Sequence, residues 1–153
     1  MPGQGKDVEL FLEEKAEEFE KRNRSRTYLV FDDETVVLLG YFTLSLNALP
    51  FRSEVSKNTI KRIDGFSKDV TAAGIVLIGQ FGKDAIAGSK LSGKLLLDIC
   101  LEYVYKSQDI VGSRFVMLEC LDVPQVVSFY KANGFTHLQM DANDKYLQMI
   151  RRL

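Results

Sequence analysis

A chain of 153 residues with 46% apolar and 27% charged side chains and three prolines can bury one substantial core, which excludes a disordered or fibrous chain. Its 20 basic and 21 acidic residues leave a net charge of −1, so nucleic acid or anionic lipid must be met, if at all, by a local patch. Two cysteines, Cys100 and Cys120, without metal-site spacing, and a single histidine, His137, argue against a metal centre and read as a pair of core thiols and a surface or packing residue. With no linker-like stretch, signal segment or bilayer-length apolar run, the expectation is one domain over residues 1–153, in the cytoplasm and away from membranes.

The first element is a helix over Asp7–Arg22, with Val8, Leu12, Ala16 and Phe19 on one stripe and Glu13, Glu14, Glu17, Glu18 and Glu20 outside it. Its basic end, Lys21 to Arg26, suits the negative end of a helix dipole better than an RNA contact. Thr27–Asp33 and Thr35–Leu46 read as two strands of a hairpin around Asp32-Asp33-Glu34. Asn47–Thr71 is less regular: Pro50 breaks the strand, Val55–Ile63 forms a short helix and Gly65 ends it.

Next comes the most informative stretch, Ala73–Leu97, where the apolar strand Ile75-Val76-Leu77-Ile78 runs through Gly79, Gly82, Gly88 and Gly93 into an amphipathic helix. Leu95, Leu96, Ile99, Cys100, Tyr103 and Val104 form the apolar stripe, Ser92 is the N-cap and Gly112 the stop. A helix N-terminus offers unpaired N–H groups and the positive end of the dipole, so this loop reads as a phosphate cradle, with Lys90 and Lys94 adding charge. Gly88 to Lys94 matches GxxxxGK of a nucleotide-binding P-loop, but Leu95 stands where the Mg²⁺-binding Ser or Thr belongs and about half of the chain precedes the loop.

Arg114–Cys120 is a further strand, parallel to the one at 75–83 because a helix joins them. Pro124 opens a short helix to Ala132 that Asn133-Gly134 stops, and Phe135–Met140 with Lys145–Arg151 closes the chain as a hairpin.

The end of that short helix, Phe129-Tyr130-Lys131-Ala132-Asn133-Gly134-Phe135, is an FYxxxGF signature downstream of a strand–loop–helix phosphate cradle. Together they resemble the GCN5-related N-acetyltransferase (GNAT) superfamily, whose loop pattern Q/R-x-x-G-x-G/A binds the diphosphate of coenzyme A. Here Gly88 stands at the family's Gln or Arg, Leu91 at its first glycine and Gly93 at its last position, so two of three marked positions depart. Leu91 puts an apolar side chain where the family keeps the backbone bare. The resemblance runs from the FLEEKAEEF helix through GYFTLS to the closing hairpin and is nearest to the toxin-type branch, which acetylates the amine of aminoacyl-tRNA.

The resemblance implies a mixed α/β fold: a mostly antiparallel sheet with one parallel, splayed strand pair, flanked by helices. It implies acetyl-CoA as co-substrate, held by Phe81, Gly82 and Lys83 along the pantetheine arm and by Gly88, Ser89, Lys90, Leu91, Ser92, Gly93 and Lys94 at the diphosphate. It also implies direct attack of a primary amine on the thioester, with Tyr130 protonating the departing thiolate. Phe129 and Phe135 remain packing residues, and Glu119, Glu54 or water would take the amine's proton. The acceptor is a small molecule or a macromolecule, aminoacyl-tRNA among them, and a homodimer is an open expectation. A non-catalytic coenzyme A-binding module with a degenerate loop is the runner-up, and the nucleotide-binding P-loop a lesser one.

Overall fold

Runs of β-branched and aromatic residues form the strands, and the computed structural model, which describes Leu10 and residues 12–153, joins six of them in one mixed sheet. In chain order the elements are α1 (Ala16–Lys21), β1 (Arg26–Phe31), β2 (Leu38–Pro50), α2 (Lys57–Asp64), β3 (Ala72–Lys83), a 3₁₀ segment (Ala85–Lys90), α3 (Gly93–Val111), β4 (Phe115–Cys120), α4 (Pro124–Ala132), β5 (Thr136–Met140) and β6 (Leu147–Arg152). The strand order is β1-β2-β3-β4-β6-β5. β3 and β4 run parallel, as a crossover through α3 demands, and the other neighbours are antiparallel. No helix among the described residues is long and apolar enough to cross a membrane.

The chain divides into two compact units, Met1–Ser45 with Ile78–Val104 and Leu46–Leu77 with Tyr105–Leu153. In the first, β1 and β2 pair with Tyr28 opposite Phe42 and Val30 opposite Gly40, and a bulge follows Val30. Asp32 closes the turn by accepting the N–H groups of Glu34 and Thr35 at 2.9 and 3.0 Å, and Val36 is held at φ 59°. Tyr103 of α3 packs on Tyr28 and Phe42, with ring centroids 4.3 and 5.9 Å apart, which fixes how the helix lies on these strands. The buried stripe of α3 is Leu96, Leu97, Cys100, Leu101 and Val104, while Leu95 is 47% exposed. The expected stripe was thus off by part of a turn, because the run Leu95-Leu96-Leu97 leaves the helical phase undetermined.

α1 buries only Ala16. Lys15, at φ −124°, interrupts the expected continuous helix, whose start, Val8 included, lies outside the described residues. Every basic side chain from Lys21 to Arg26 is engaged locally. Lys21 and Arg22 pair with Glu17 and Glu18, Arg24 lies over the Phe19 ring, and Arg26 donates to Asn23 and pairs with Glu20.

The second unit is built around Leu49, Ile63, Ala73, Ile75, Phe115, Met117 and Ile150, with Phe51, Leu77 and Leu138 packed against them. Ser56 caps α2 by accepting the Thr59 N–H at 3.2 Å, and Gly65 ends it at φ 94°. The Arg114 side chain fills the space where a Cβ on Gly65 would stand. β2 runs to Pro50, past the expected end at Leu46, and the ring that lacks an N–H stands as its last residue.

Candidate active site

The predicted diphosphate loop lies wholly in the first unit. β3 ends at Phe81-Gly82-Lys83, where the Asp84 N–H donates to the Leu39 carbonyl at 2.7 Å and holds the turn against β2. One strand turn earlier the buried Thr43 hydroxyl accepts the Gln80 N–H at 2.8 Å. The chain then winds through the 3₁₀ segment, which is broken at Gly88 (φ 54°, ψ −124°), a conformation that L side chains strain to adopt. Ser92 caps α3: its hydroxyl accepts the Leu95 N–H at 3.0 Å and its carbonyl the Leu96 N–H at 3.1 Å. The first-turn N–H groups of Gly93 and Lys94 are thereby left at the open end of a 19-residue helix.

Leu91 stands at the family's first glycine position. Its side chain does not stand on the outside of the loop but is 1% exposed, and one of its methyls lies 2.9 Å from where a Cβ on Gly40 would be. That same Cβ would meet the Gly82 carbonyl oxygen at 2.9 Å and the Lys83 Cα at 3.2 Å. Gly40 is therefore the floor on which the end of β3 and the loop both rest, and leucine plugs it.

Charge surrounds the loop. Lys83 Nζ donates to the carbonyls of Leu91 and Gly88 at 3.2 and 3.4 Å. Lys90 Nζ holds Asp32 at 2.8 Å, and Lys94 Nζ lies 3.0 Å from both oxygens of Asp98, one turn along the helix. The Lys90 ammonium, then the Thr35 and Glu34 N–H groups, pull the Asp32 carboxyl down to about 2. The side chain of Ser89 lies outside the described residues. The largely antiparallel sheet is not the parallel one on which P-loops are built, so the nucleotide-binding reading loses its structural context.

Tyr130 belongs to the second unit. It is 3% exposed on α4, edge-on to Phe129 at 5.1 Å and to Phe135 at 5.8 Å. Its carbonyl accepts the N–H groups of Asn133 and Phe135, both at 3.0 Å, and the Asn133 amide donates back to the Phe129 carbonyl at 2.8 Å. Gly134 takes φ 86°, and Arg151 donates to the Asn133 carbonyl at 2.9 Å. The seven-residue signature is thus one tight helix-to-strand corner, with Phe135 inside as expected.

The two candidate carboxylates differ. Glu54 is exposed and held by Arg52 at 2.9 Å. Glu119 on β4 is half-buried, and burial pushes its carboxyl up, with Gln148 opposing and Asp141 adding to the rise. Gln148 donates to it at 3.4 Å and accepts from the buried Gln139 at 2.7 Å. Gln139 also accepts the Arg52 N–H at 2.8 Å and donates to the Pro50 carbonyl at 2.9 Å. The sequence reading missed these two glutamines; their register as direct partners across β5 and β6 was the signal. His137 is exposed opposite Met149, and both cysteines are buried free thiols, raised by burial to about 12 at Cys100 and about 11 at Cys120.

By sequence, no family model matches the chain and no curated protein does. By structure it is similar to a protein solved as a bacterial toxin, with a TM-score of 0.75 and 17% identity over 95% of this chain and 76% of that one. AtaT complexed with acetyl-methionyl-tRNAfMet gives 0.71 and 20% over 93% and 81%. A tyrosine-to-phenylalanine mutant of KacT gives 0.71 and 24% over 94% and 81%. AtaT has also been solved with acetyl-CoA and the C-terminus of the antitoxin AtaR, at a TM-score of 0.68 and 19% identity. The chain has the fold of the GCN5-related N-acetyltransferases, and its structural neighbours include the AtaT toxin and KacT.

Proposed function

We propose that this protein transfers an acetyl group from acetyl-CoA to a primary amine. The observation that carries the reading is the capped N-terminus of α3 behind a loop kinked at Gly88, in the fold that AtaT uses with acetyl-CoA. The residues fit the co-substrate. Positive φ at Gly88, open space beside it and first-turn N–H groups at Gly93 and Lys94 make a receptor for a diphosphate. Lys94 now holds the exposed Asp98 carboxylate, a pair weak enough to be exchanged for phosphate oxygens, while Lys90, on the largely covered Asp32, adds positive charge at the rim. The backbone of Phe81, Gly82 and Lys83 would pair with the amides of the pantetheine arm and polarise the thioester carbonyl.

Acetyl-CoA supplies an activated acetyl thioester; the proton movements fall to the protein. As the amine nitrogen bonds to the acetyl carbon and the carbon–sulfur bond breaks, Tyr130 gives its phenolic proton to the leaving sulfur. A phenol with an ordinary pKa of about 10 is only slightly weaker an acid than a thiol at about 8.5, so the transfer is close to balanced. The amine's proton goes to a base, for which half-buried Glu119 suits better than ion-paired Glu54.

AtaT bound to acetyl-methionyl-tRNAfMet supports aminoacyl-tRNA as the acceptor to try first. The test is release of free thiol from acetyl-CoA by the full chain, with aminoacyl-tRNAs and small amines as acceptors. Thiol release that needs both acceptor and Tyr130 is expected. Acetyl-CoA binding without turnover on any acceptor would favour the non-catalytic module, and Mg²⁺-dependent stabilisation by ATP alone would revive the P-loop.

A further inference from the structure

We infer that the side chain of Lys83 is the positioning residue that holds residues 88–92 in the form that receives the diphosphate, working against Leu91 as a buried anchor; this rests on the acetyl-CoA reading above. Two carbonyls from opposite ends of the loop, Gly88 and Leu91, converge on one ammonium at 3.4 and 3.2 Å. In a planar trans peptide the carbonyl and the next N–H point in opposite directions. Turning the carbonyls of residues 88 and 91 onto Lys83 therefore turns the N–H groups of Ser89 and Ser92 away from it. Those donors join Gly93 and Lys94 of the helix end on the side an anion would approach.

Three further ties make the arrangement specific. The base of the lysine is fixed because the neighbouring Asp84 N–H is bonded to Leu39 at 2.7 Å. The far end of the loop is fixed because Leu91 is buried beside Gly40, where no side chain competes for the space. The loop's rim is fixed by Lys90 on Asp32 at 2.8 Å, and Asp32 itself is locked by two turn N–H groups. Glycines let a backbone come close to a ligand by removing Cβ atoms. Here a lysine pulling on carbonyls and a leucine filling a glycine floor reach the same backbone path, although Gly88 and Leu91 depart from the family pattern.

The experiment is hydrogen exchange of the ligand-free full chain, comparing wild type with Lys83→Met and Lys83→Arg, alongside calorimetric acetyl-CoA affinity of each. Lys83→Met should speed exchange at residues 89–96 by about tenfold or more, leave β4 and β6 unchanged, and weaken acetyl-CoA binding by about tenfold; Lys83→Arg should restore most of both. Weakened binding with unchanged exchange would make Lys83 a direct phosphate ligand and overturn the positioning role. Unchanged exchange and unchanged binding would overturn it as well. If wild type binds no acetyl-CoA, the cofactor reading fails, while the exchange rates of the free protein still decide whether Lys83 holds the loop.

Discussion

The loop at 84–93 and the corner at 124–135 are both backbone turns beside a helix, yet they are held in opposite ways. In the corner most of the holding bonds come from the segment itself, with two N–H groups on the Tyr130 carbonyl, the Asn133 amide on Phe129 and rings packed edge to edge, and Arg151 reaches the Asn133 carbonyl from outside. In the loop the holding groups come from outside it, from Lys83, Asp32 and the bare floor at Gly40. A self-held turn depends on a fixed string of residues and tolerates little change within it. A turn held from a distance can change its own letters, provided that the distant partners change with it.

The largest expected effect breaks the corner's chemistry and spares its structure. Tyr130→Phe should lower thiol release by roughly 10²–10⁴-fold with acetyl-CoA affinity intact. Equal turnover in that variant would remove Tyr130 from the reaction. The sharpest challenge to the loop is Leu91→Gly, which installs the family's own residue. Because this leucine is buried, the change should cost about 3–5 kcal/mol in urea unfolding and weaken acetyl-CoA binding as well. A variant that is as stable as wild type and binds tighter would show that the loop works as the family's does.

Gly40→Ala should cost less, about 1–3 kcal/mol, because its methyl meets the Gly82 carbonyl oxygen and a Leu91 methyl at 2.9 Å. Combining it with Leu91→Ala should be less than additive, since only the backbone clash then remains. Smallest is the acid response of the rim. The Asp32 carboxyl is depressed from 3.8 to about 2, so its tie to Lys90 is fully present above pH 3.8 and is lost as pH falls from there toward 2. Carboxyl titration by NMR should find its midpoint near 2, and Lys90→Ala should move it upward. A midpoint near 3.8 in wild type would mean that the tie does not form.

What could be read from the sequence follows the same division. α4 spans Pro124–Ala132 as expected, Ser92 and Gly65 cap as expected, and the βαβ unit gives its parallel pair, because caps, prolines and periodicity act within a few residues. Lys90 on Asp32, and Gln139 on the Arg52 N–H and the Pro50 carbonyl, join residues far apart in the chain, and no local pattern announces them. Spacing set Leu91 at the family's glycine position but left open whether its side chain turns out or in, which depends on Gly40, fifty-one positions upstream. Strand β2 was cut short at Leu46 because Asn47 and Ala48 are weak strand formers, which tertiary pairing overrode.

The central claim is that the loop at Gly88–Lys94, despite its departures, still receives a coenzyme A diphosphate. Calorimetric titration of the full chain with acetyl-CoA, beside acetyl-pantetheine, which lacks the diphosphate, tests it most directly. Saturable binding of one acetyl-CoA per chain, with acetyl-pantetheine at least about tenfold weaker, is the predicted result. No heat of binding at millimolar acetyl-CoA, or equal affinity for the two, would contradict it.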